Sequence, residues 1–405
     1  MAQNVVPPRG MRDFLPAQKR QRERVLQTIR EAFSDHGFSE IETPVMEDAA
    51  RLHAGLGGDN EKLAFAVMRR GLGPDDLRTA ENPLDLADLG LRFDLTVPLA
   101  RFIATNRGSL PPVFRSIQIA PVWRAERPQK GRYRQFIQCD IDISGEAGIV
   151  AELELLTATG DALRRLGLTD AFIRVNDRRL LFAVLDAASV PAEQQERALI
   201  TVDKLDKIGD DGVVAELTES GLDGERVMGI IRALAAGQVP DDIDESALAA
   251  IRDLLDADCG VRLEFDPSLV RGMGYYTGAI FEIAHPELSY SIGGGGRYDG
   301  MIGRFSGTDV PAAGISFGFE RLVDLVDIAG DGTETVGLVV DKKVPAQELV
   351  ATKRSLVESG RKVLVANRAR NVQSVLEQLS ALGATHFAFV RPGDSADALE
   401  IKPLD

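Results

Sequence analysis

The chain has 405 residues, of which 44% are hydrophobic and 27% charged, and this composition predicts a soluble globular protein of two or three domains. Its formal net charge of −15 argues against a non-specific nucleic-acid binder, because contacts with phosphates need lysine and arginine. No segment approaches the roughly 20 apolar residues of a membrane span, and the N-terminus shows no export signal. The two cysteines exclude a disulfide framework and suit a reducing cytoplasm, and the four histidines lack metal-ligand spacing, so no metal site is predicted.

The N-terminal part of the chain predicts one helix followed by extended segments. Residues 17–36 place apolar side chains at four-residue spacing, as an amphipathic helix does. Residues 37–44 follow as a short extended stretch that ends at a proline. Residues 111–123 and 134–143 alternate apolar and polar side chains, which is typical of half-buried strands. These two strands flank an arginine-rich loop, so antiparallel pairing is their simplest arrangement.

Helices dominate the middle of the chain. Residues 150–166 have the apolar spacing of a helix, and residues from about 180 to 262 have a mostly helical, acidic composition. Glycine-rich strand patterns return at 270–300, and a short strand followed by a helix begins at 313. The order predicts an α+β domain over residues 1–326, in which an antiparallel sheet is flanked by helices and interrupted by a helical insertion at about 180–262.

The last part of the chain predicts a second, smaller domain. Residues 327–335 have the composition of a linker. Residues 336–405 alternate apolar strands with helices, which is the pattern of a small α/β domain.

The strand at 134–143 carries the most informative pattern. Its odd positions are apolar and should face the core: Ile137, Cys139, Ile141 and Ile143. Its even positions form a polar face with one aromatic: Arg134, Phe136, Gln138, Asp140 and Asp142. A polar face directly after a basic loop indicates the wall of a pocket, whereas the simpler alternative is an exposed face with cross-strand salt bridges.

Other segments add charged and flexible positions. Residues 91–101 predict a strand with Arg92, Asp94 and Thr96 on one face. Residues 269–283 join Arg271 to the pair Tyr275 and Tyr276, and residues 291–300 contain four consecutive glycines, where backbone can approach a ligand closely. In residues 314–322, Arg321 lies at the start of a predicted helix, where an ordinary surface arginine is the alternative interpretation.

Taken together, these segments resemble the histidyl-tRNA synthetase family from about Arg9 to Val326. Residues 37–47, 122–143 and 314–322 look like class II motifs 1, 2 and 3, and the segments LVRGMGYYTG and SIGGGGRYDG look like two histidine-specific signatures. The resemblance implies an ATP-dependent ligase that activates histidine and transfers it to tRNA(His). It further implies a cytoplasmic homodimer formed through motif 1, and an anticodon-binding-like domain, here shortened, at residues 336–405.

The resemblance also implies roles at an ATP site. Negative charge builds on phosphoryl oxygens during adenylate formation, so arginines are the expected catalytic groups. Arg124 should grip the α-phosphate and Arg271 should approach it from the other side. The remaining ATP contacts are Arg132 with the outer phosphates, Arg321 and Phe136 with adenine, and Glu126 with its exocyclic amine. Mg²⁺ is expected on the triphosphate, carried mainly by phosphate oxygens.

For histidine, the resemblance implies that Asp94 and Gln138 hold the amino group. Asp142 should accept a hydrogen bond from one imidazole nitrogen while Tyr276 meets the other. Such paired contacts reject an apolar isostere, because its binding would leave buried polar groups unpaired. Further positions of the histidine pocket are Arg271, Tyr275, Tyr298 and Tyr133.

Two departures from the family pattern leave alternatives open. The first signature often has an aspartate where this chain has Gly274, and the C-terminal unit stops early. One alternative is the regulatory subunit of ATP phosphoribosyltransferase, a relative that generally loses ATP-binding arginines and the anticodon domain. Another is a paralogue that makes the adenylate without using tRNA. The four arginines at 124, 132, 271 and 321 favour the ligase over the regulatory subunit.

Overall fold

The structure is a computed structural model, and it describes residues 5–53, 63–127, 131–243, 246–271, 274–326, 328 and 333–404. The described residues form two compact units. The larger unit comprises those of Met1–Arg12 and Val25–Val326, and the smaller unit those of Asp13–Arg24 and Asp327–Asp405.

The larger unit contains an eight-stranded sheet. Its strands, in spatial order, are β1 (Ser39–Glu40), β5 (Phe114–Trp123), β6 (Gln135–Ser144), β11 (Ala312–Gly318), β10 (Gly293–Arg297), β9 (Ala279–Ala284), β7 (Phe172–Asp177) and β8 (Arg262–Phe265). The pairs β1–β5 and β7–β8 are parallel, and the other neighbours are antiparallel. A separate antiparallel sheet has the order β2 (Met46–Asp48), β4 (Ala87–Leu91), β3 (Phe65–Met68). The predicted α+β class with a mainly antiparallel sheet is confirmed.

Helices flank this sheet. Outside the segment between β7 and β8 they are α1 (Pro16–Asp35), α2 (Ala49–His53), α3 (Pro74–Thr79), α4 (Thr96–Asn106), α5 (Val150–Arg165), α11 (Gly300–Ser306) and α12 (Phe319–Leu322), with a 3-10 turn at Pro83–Leu86. On β11, Phe317 pairs in register with Cys139 of β6, and its ring stacks on Phe33 of α1 at 5.9 Å between centroids. The part of α1 that belongs to the larger unit, residues 25–35, therefore covers the face of the sheet on which the apolar residues of β6 lie, and the polar residues of β6 face the other way.

Between β7 and β8 the described chain is helical, with α6 (Arg178–Ala187), α7 (Ala192–Val202), α8 (Leu205–Glu219), α9 (Gly224–Ala235) and α10 (Ser246–Leu255). Two of these helices begin at an aspartate whose side chain accepts a backbone N–H: Asp177 for α6 and Asp223 for α9. Their apolar stripes, including Leu181 and Ile231, are buried in a common hydrophobic cluster. This segment covers most of the stretch predicted as an insertion, and its role as a separate functional module stays a prediction.

The smaller unit alternates strands and helices. Its four-stranded sheet has the order β13 (Lys362–Asn367), β12 (Thr335–Val340), β14 (His386–Val390), β15 (Lys402–Pro403). Helices α13 (Ala346–Glu358) and α14 (Val372–Ala381) accompany it, with a 3-10 turn at Ala396–Ala398. Central strand β12 runs parallel to both neighbours and buries side chains on both faces, with Leu338 in one cluster and Val339 in another. Of the predicted linker 327–335, most residues lie outside the described ones.

The strand predicted at residues 91–101 is wrong. Strand β4 ends at Leu91 and α4 begins at Thr96. The reason is local: the Asp94 carboxylate accepts the Val97 N–H at 3.1 Å and Pro98 occupies the first helical turn, two features that start a helix. Arg92 and Asp94 therefore lie in a strand-to-helix connection, with Arg92 buried against the Thr43 carbonyl.

Arg271, which falls in the strand pattern predicted at 270–300, lies instead in the connection between β8 and β9. Arg124 directly follows the end of β5, in the predicted arginine-rich loop. In the part of the chain that the structure describes, every helix is too short or too polar to cross a membrane.

Candidate active site

A cleft lies over the polar face of β6. It brings together each of the side chains assigned above to ATP or histidine: Asp94, Arg124, Glu126, Arg132, Tyr133, Phe136, Gln138, Asp142, Arg271, Tyr275, Tyr276, Tyr298 and Arg321. They come from β6, the end of β10, α12 and three connections (β4–α4, β5–β6 and β8–β9), so the cleft exists only in the folded chain. Arg92 does not line it.

Glycines make the space for this cleft. A Cβ on Gly295 of β10 would lie 1.9 Å from the Gly314 carbonyl oxygen, and one on Gly294 would lie 2.7 Å from the Arg271 guanidinium carbon. On β11, Gly314 pairs with Asp142, and a Cβ there would lie 1.9 Å from an Asp142 carboxylate oxygen. The glycine run predicted to admit a ligand therefore also admits the functional side chains themselves.

Replacing Gly314 by alanine should damage histidine binding, because the added methyl group would displace the Asp142 carboxylate. Overpacking of this kind typically costs about 1–3 kcal/mol of stability, so the melting temperature should fall as well. Gly300→Ala is the matched control, because a Cβ at Gly300 meets nothing within 4 Å. The measurements are the Michaelis constant for histidine and the melting temperature. A Gly314→Ala protein with the histidine constant of Gly300→Ala would contradict the crowding of Asp142.

One end of the cleft is cationic. Arg124 donates to the Phe93 carbonyl at 3.0 Å, and its guanidinium carbon lies 5.0 Å from the centroid of the Phe136 ring. Arg321 donates to the Ser291 carbonyl at 2.8 Å, and burial together with nearby Arg132 lowers its pKa. Within the described parts of the chain, no carboxylate pairs with Arg124, Arg132 or Arg321. Arg124 and Arg321 are held by neutral carbonyls, so the group of three cations favours an anionic ligand.

Arg271 enters the cleft from an unusual backbone conformation. Its φ of 57° lies in the left-handed region, which residues with a Cβ rarely adopt. Its guanidinium Nη1 lies 3.2 Å from the Glu282 carboxylate, which holds the side chain across strand β10. The conformation and the ion pair together direct a fixed positive charge toward the ligand.

The other end of the cleft is acidic. Asp142 accepts the Tyr298 hydroxyl at 2.5 Å, and burial, partly offset by this hydrogen bond, raises its pKa to about 7. Burial also raises the pKa of Asp94 to about 6. The rings of Tyr275 and Tyr276 lie 4.8 Å apart beside them. Buried carboxylates with raised pKa values are characteristic of functional sites, because a bound cation or donor stabilises their charged form.

The structure adds lining residues that sequence reasoning did not assign, namely Asp140, Ser316 and Glu320. Asp140 was visible on the polar face of β6, but alternation alone gave it no role. Glu320 pairs with Arg12 and its carboxylate lies 3.4 Å from the Ile137 nitrogen. Arg12 also lies over the Tyr133 ring, 3.5 Å from the centroid. The sequence contained only one indication that Glu320 belongs to the cleft, namely its position next to Arg321 at the start of the predicted helix.

Solved structures share this fold and place it in a class. A histidyl-tRNA synthetase from Nostoc is 25% identical, with a TM-score of 0.76 over 99% of this chain and 95% of that chain. A structure from Bacillus halodurans described as an ATP phosphoribosyltransferase regulatory subunit/histidyl-tRNA synthetase has a TM-score of 0.76 at 21% identity, over 93% of this chain and 96% of that chain. Fold and cleft together are those of the aminoacyl-tRNA synthetase class.

Sequence comparison narrows the class to one family. The histidyl-tRNA synthetase family model matches residues 10–322. A histidine–tRNA ligase from Leifsonia xyli is 57% identical over 100% of this chain and 99% of its own length. A probable histidine–tRNA ligase from Tropheryma whipplei is 42% identical over 99% of both chains. The chain belongs to the histidyl-tRNA synthetase family.

Proposed function

We propose that the chain is a histidine–tRNA ligase, which activates histidine with ATP and transfers it to tRNA(His). The observation that carries this proposal is one cleft with a cationic end and an acidic end, lined by every residue that the family resemblance assigns. The full-length similarity to a histidine–tRNA ligase supports it.

In the activation step, a carboxylate oxygen of histidine attacks the α-phosphorus of ATP. The new P–O bond gives histidyl-adenylate, and the bond to the β-phosphate oxygen breaks to release pyrophosphate. Negative charge on the α-phosphoryl oxygens rises as the step proceeds. Arg124 and Arg271 stabilise it, because a guanidinium stays charged and its donors are already positioned by the Phe93 carbonyl and by Glu282.

The rest of the cationic end holds the nucleotide. Arg132 contacts the outer phosphates, Arg321 and Phe136 hold adenine between them, and Glu126 accepts from its exocyclic amine. Among the described residues no group of three or more potential ligands could hold a metal ion. Mg²⁺ would be carried by the triphosphate, where it neutralises phosphate charge, and Glu126 and Glu320 are carboxylates in the lining of the same cleft.

The acidic end holds histidine. Asp94 and Gln138 accept from the ammonium group, Asp142 accepts from one imidazole nitrogen, and Tyr276 meets the other. Tyr298 holds Asp142 through its hydroxyl, and Tyr275 packs against both tyrosine rings. The family often has an aspartate where this chain has Gly274, so the histidine pocket lacks that carboxylate. We therefore assign Asp142 as the acid that contacts the imidazole ring.

The transfer step needs tRNA, and other parts of the chain serve it in our proposal. Residues 336–405 read the anticodon, and the helices of residues 178–255 hold the acceptor stem. Motif 1, residues 37–47, forms a homodimer interface, and the protein acts in the cytoplasm. The main alternatives are a regulatory subunit of ATP phosphoribosyltransferase and a tRNA-independent paralogue. The cationic end of the cleft favours an ATP-using enzyme over the first of these.

Two assays test the proposal in order. Histidine-dependent exchange of pyrophosphate into ATP should be observed, and its absence would leave only the regulatory subunit. Purified tRNA(His) should then be charged with histidine, because a paralogue would catalyse exchange without charging. If the full chain charges tRNA(His) and a variant that lacks residues 336–405 does not, the result would support anticodon reading by the smaller unit.

A further inference from the structure

Three oxygen atoms at the acidic end of the cleft are buried without a hydrogen-bond donor. They are Asp94 Oδ2, Gln138 Oε1 and Asp140 Oδ1, and none has a partner among the residues that the structure describes. All three side chains line the cleft and are at most 8% exposed. Buried acceptors are nearly always paired in folded proteins, so three together indicate a ligand that donates three hydrogen bonds.

Each of these side chains is held by its other polar atom. Asp94 Oδ1 accepts the Val97 N–H at 3.1 Å. Gln138 Nε2 donates to Ser316 Oγ at 3.0 Å and lies 3.4 Å from Asp140 Oδ2. The free oxygens are therefore fixed in place before a ligand binds, which lowers the entropy lost on binding.

The missing partner is a cation rather than a neutral donor. Burial, together with the Asp142 carboxylate, raises the pKa of Asp140 well above its usual value. The charged or titratable groups that interact with Asp140 are Asp94, Asp142, Arg92, Arg124, Tyr276 and Tyr298. A cation bound in the cleft would favour the ionised form of Asp140. A primary ammonium group carries one positive charge and three donors.

We propose that Asp140, as a carboxylate, is a third acceptor for the α-ammonium group of the bound amino acid, beside Asp94 and Gln138. Each ammonium proton then meets one of the three buried oxygens. This inference rests on the proposed function, which supplies histidine as the ligand. Asp140 acts as a specificity residue: it selects for the free amine, whereas Asp142 selects for the ring.

The test compares histidine with 3-(imidazol-4-yl)propionate, which keeps the ring and the carboxylate but lacks the amine. Calorimetry on the full chain gives both affinities. Asp140→Asn, which keeps the shape and removes the charge, should weaken histidine binding by about 10- to 100-fold, the range for one charge-assisted hydrogen bond. It should leave the affinity for the propionate unchanged. Asp177→Asn is the matched control, since Asp177 is a buried carboxylate of the same sheet outside the cleft, and it should leave both affinities unchanged.

The possible outcomes distinguish a failure of the role of Asp140 from a failure of the proposed function. Unchanged histidine affinity in Asp140→Asn, or equal weakening of both ligands, would overturn the role of Asp140. Wild-type protein that binds neither ligand would instead overturn the proposed function.

Discussion

Arg271→Ala is expected to slow adenylate formation by about 10²- to 10³-fold, which corresponds to roughly 3–4 kcal/mol of transition-state stabilisation. The charge that Arg271 contacts develops during the reaction, so its loss should lower the rate more than it raises the Michaelis constant for histidine. Pyrophosphate exchange at saturating substrates measures the rate, and titration with histidine measures binding.

Arg174→Ala is the matched control for that experiment. Arg174 lies 3.6 Å from the same Glu282 carboxylate that holds Arg271, but it does not line the cleft. The Arg174→Ala protein should therefore keep the pyrophosphate-exchange activity of the wild type. Arg271→Ala activity within a few-fold of the wild type would show that Arg271 does not act on the transition state.

Asp142→Ala is expected to raise the Michaelis constant for histidine far more than the constant for ATP. It should also reduce discrimination against apolar analogues of histidine, because the hydrogen bond that penalises them is lost. In the wild type, histidine binding should strengthen as the pH rises through about 7, where Asp142 ionises. The variant should lose the part of this dependence that exceeds the titration of histidine itself. Both constants are measured across pH 6 to 8, a window that spans the ordinary pKa of histidine, about 6.5.

The competing explanation is that Asp142 only stabilises the sheet. The pKa shift of Asp142 gives a test of this explanation. Because the folded-state pKa of about 7 lies above the ordinary value of 3.8, the unfolded chain releases the proton first, and the stability of the wild type falls as pH rises from 3.8 to about 7. Asp142→Ala should lack this part of the pH dependence of stability. Ser144→Ala, on the same face of β6 but outside the cleft, is the control. A variant that melts lower and keeps a normal histidine constant would favour the structural explanation.

The parts of the site on β6 could be predicted from the sequence because a strand repeats every two residues. Once Cys139 and Ile141 face the core, Gln138 and Asp142 must face the other side. The α/β alternation after residue 336 was readable for a different reason, because its strands are short apolar runs separated by helical patterns. The alternation of Arg92, Asp94 and Thr96 led to a wrong strand prediction. Polar side chains at alternate positions also occur where an aspartate starts a helix, as Asp94 does here.

Other parts of the site depend on contacts between residues that are distant in sequence. The alternation of polar and apolar residues contains no information about such contacts. Glu320 meets Arg12 across 308 positions of sequence. The place of Arg271 depends on its backbone conformation and on Glu282. The role of Asp140 follows from which of its oxygens the fold leaves unpaired, and its hydrogen bonds with Gln138 on the same strand and with Ser316 on β11 decide that.

The positive φ of Arg271 sets stability and activity against each other at this one position. A residue with a Cβ reaches the left-handed region at a cost of roughly 1–2 kcal/mol, and glycine does not incur it. A selection for heat tolerance alone would therefore favour glycine at 271 and would remove the charge that the reaction needs. Engineering a more heat-resistant form of this protein should leave the β8–β9 connection unchanged and seek its gains elsewhere in the fold.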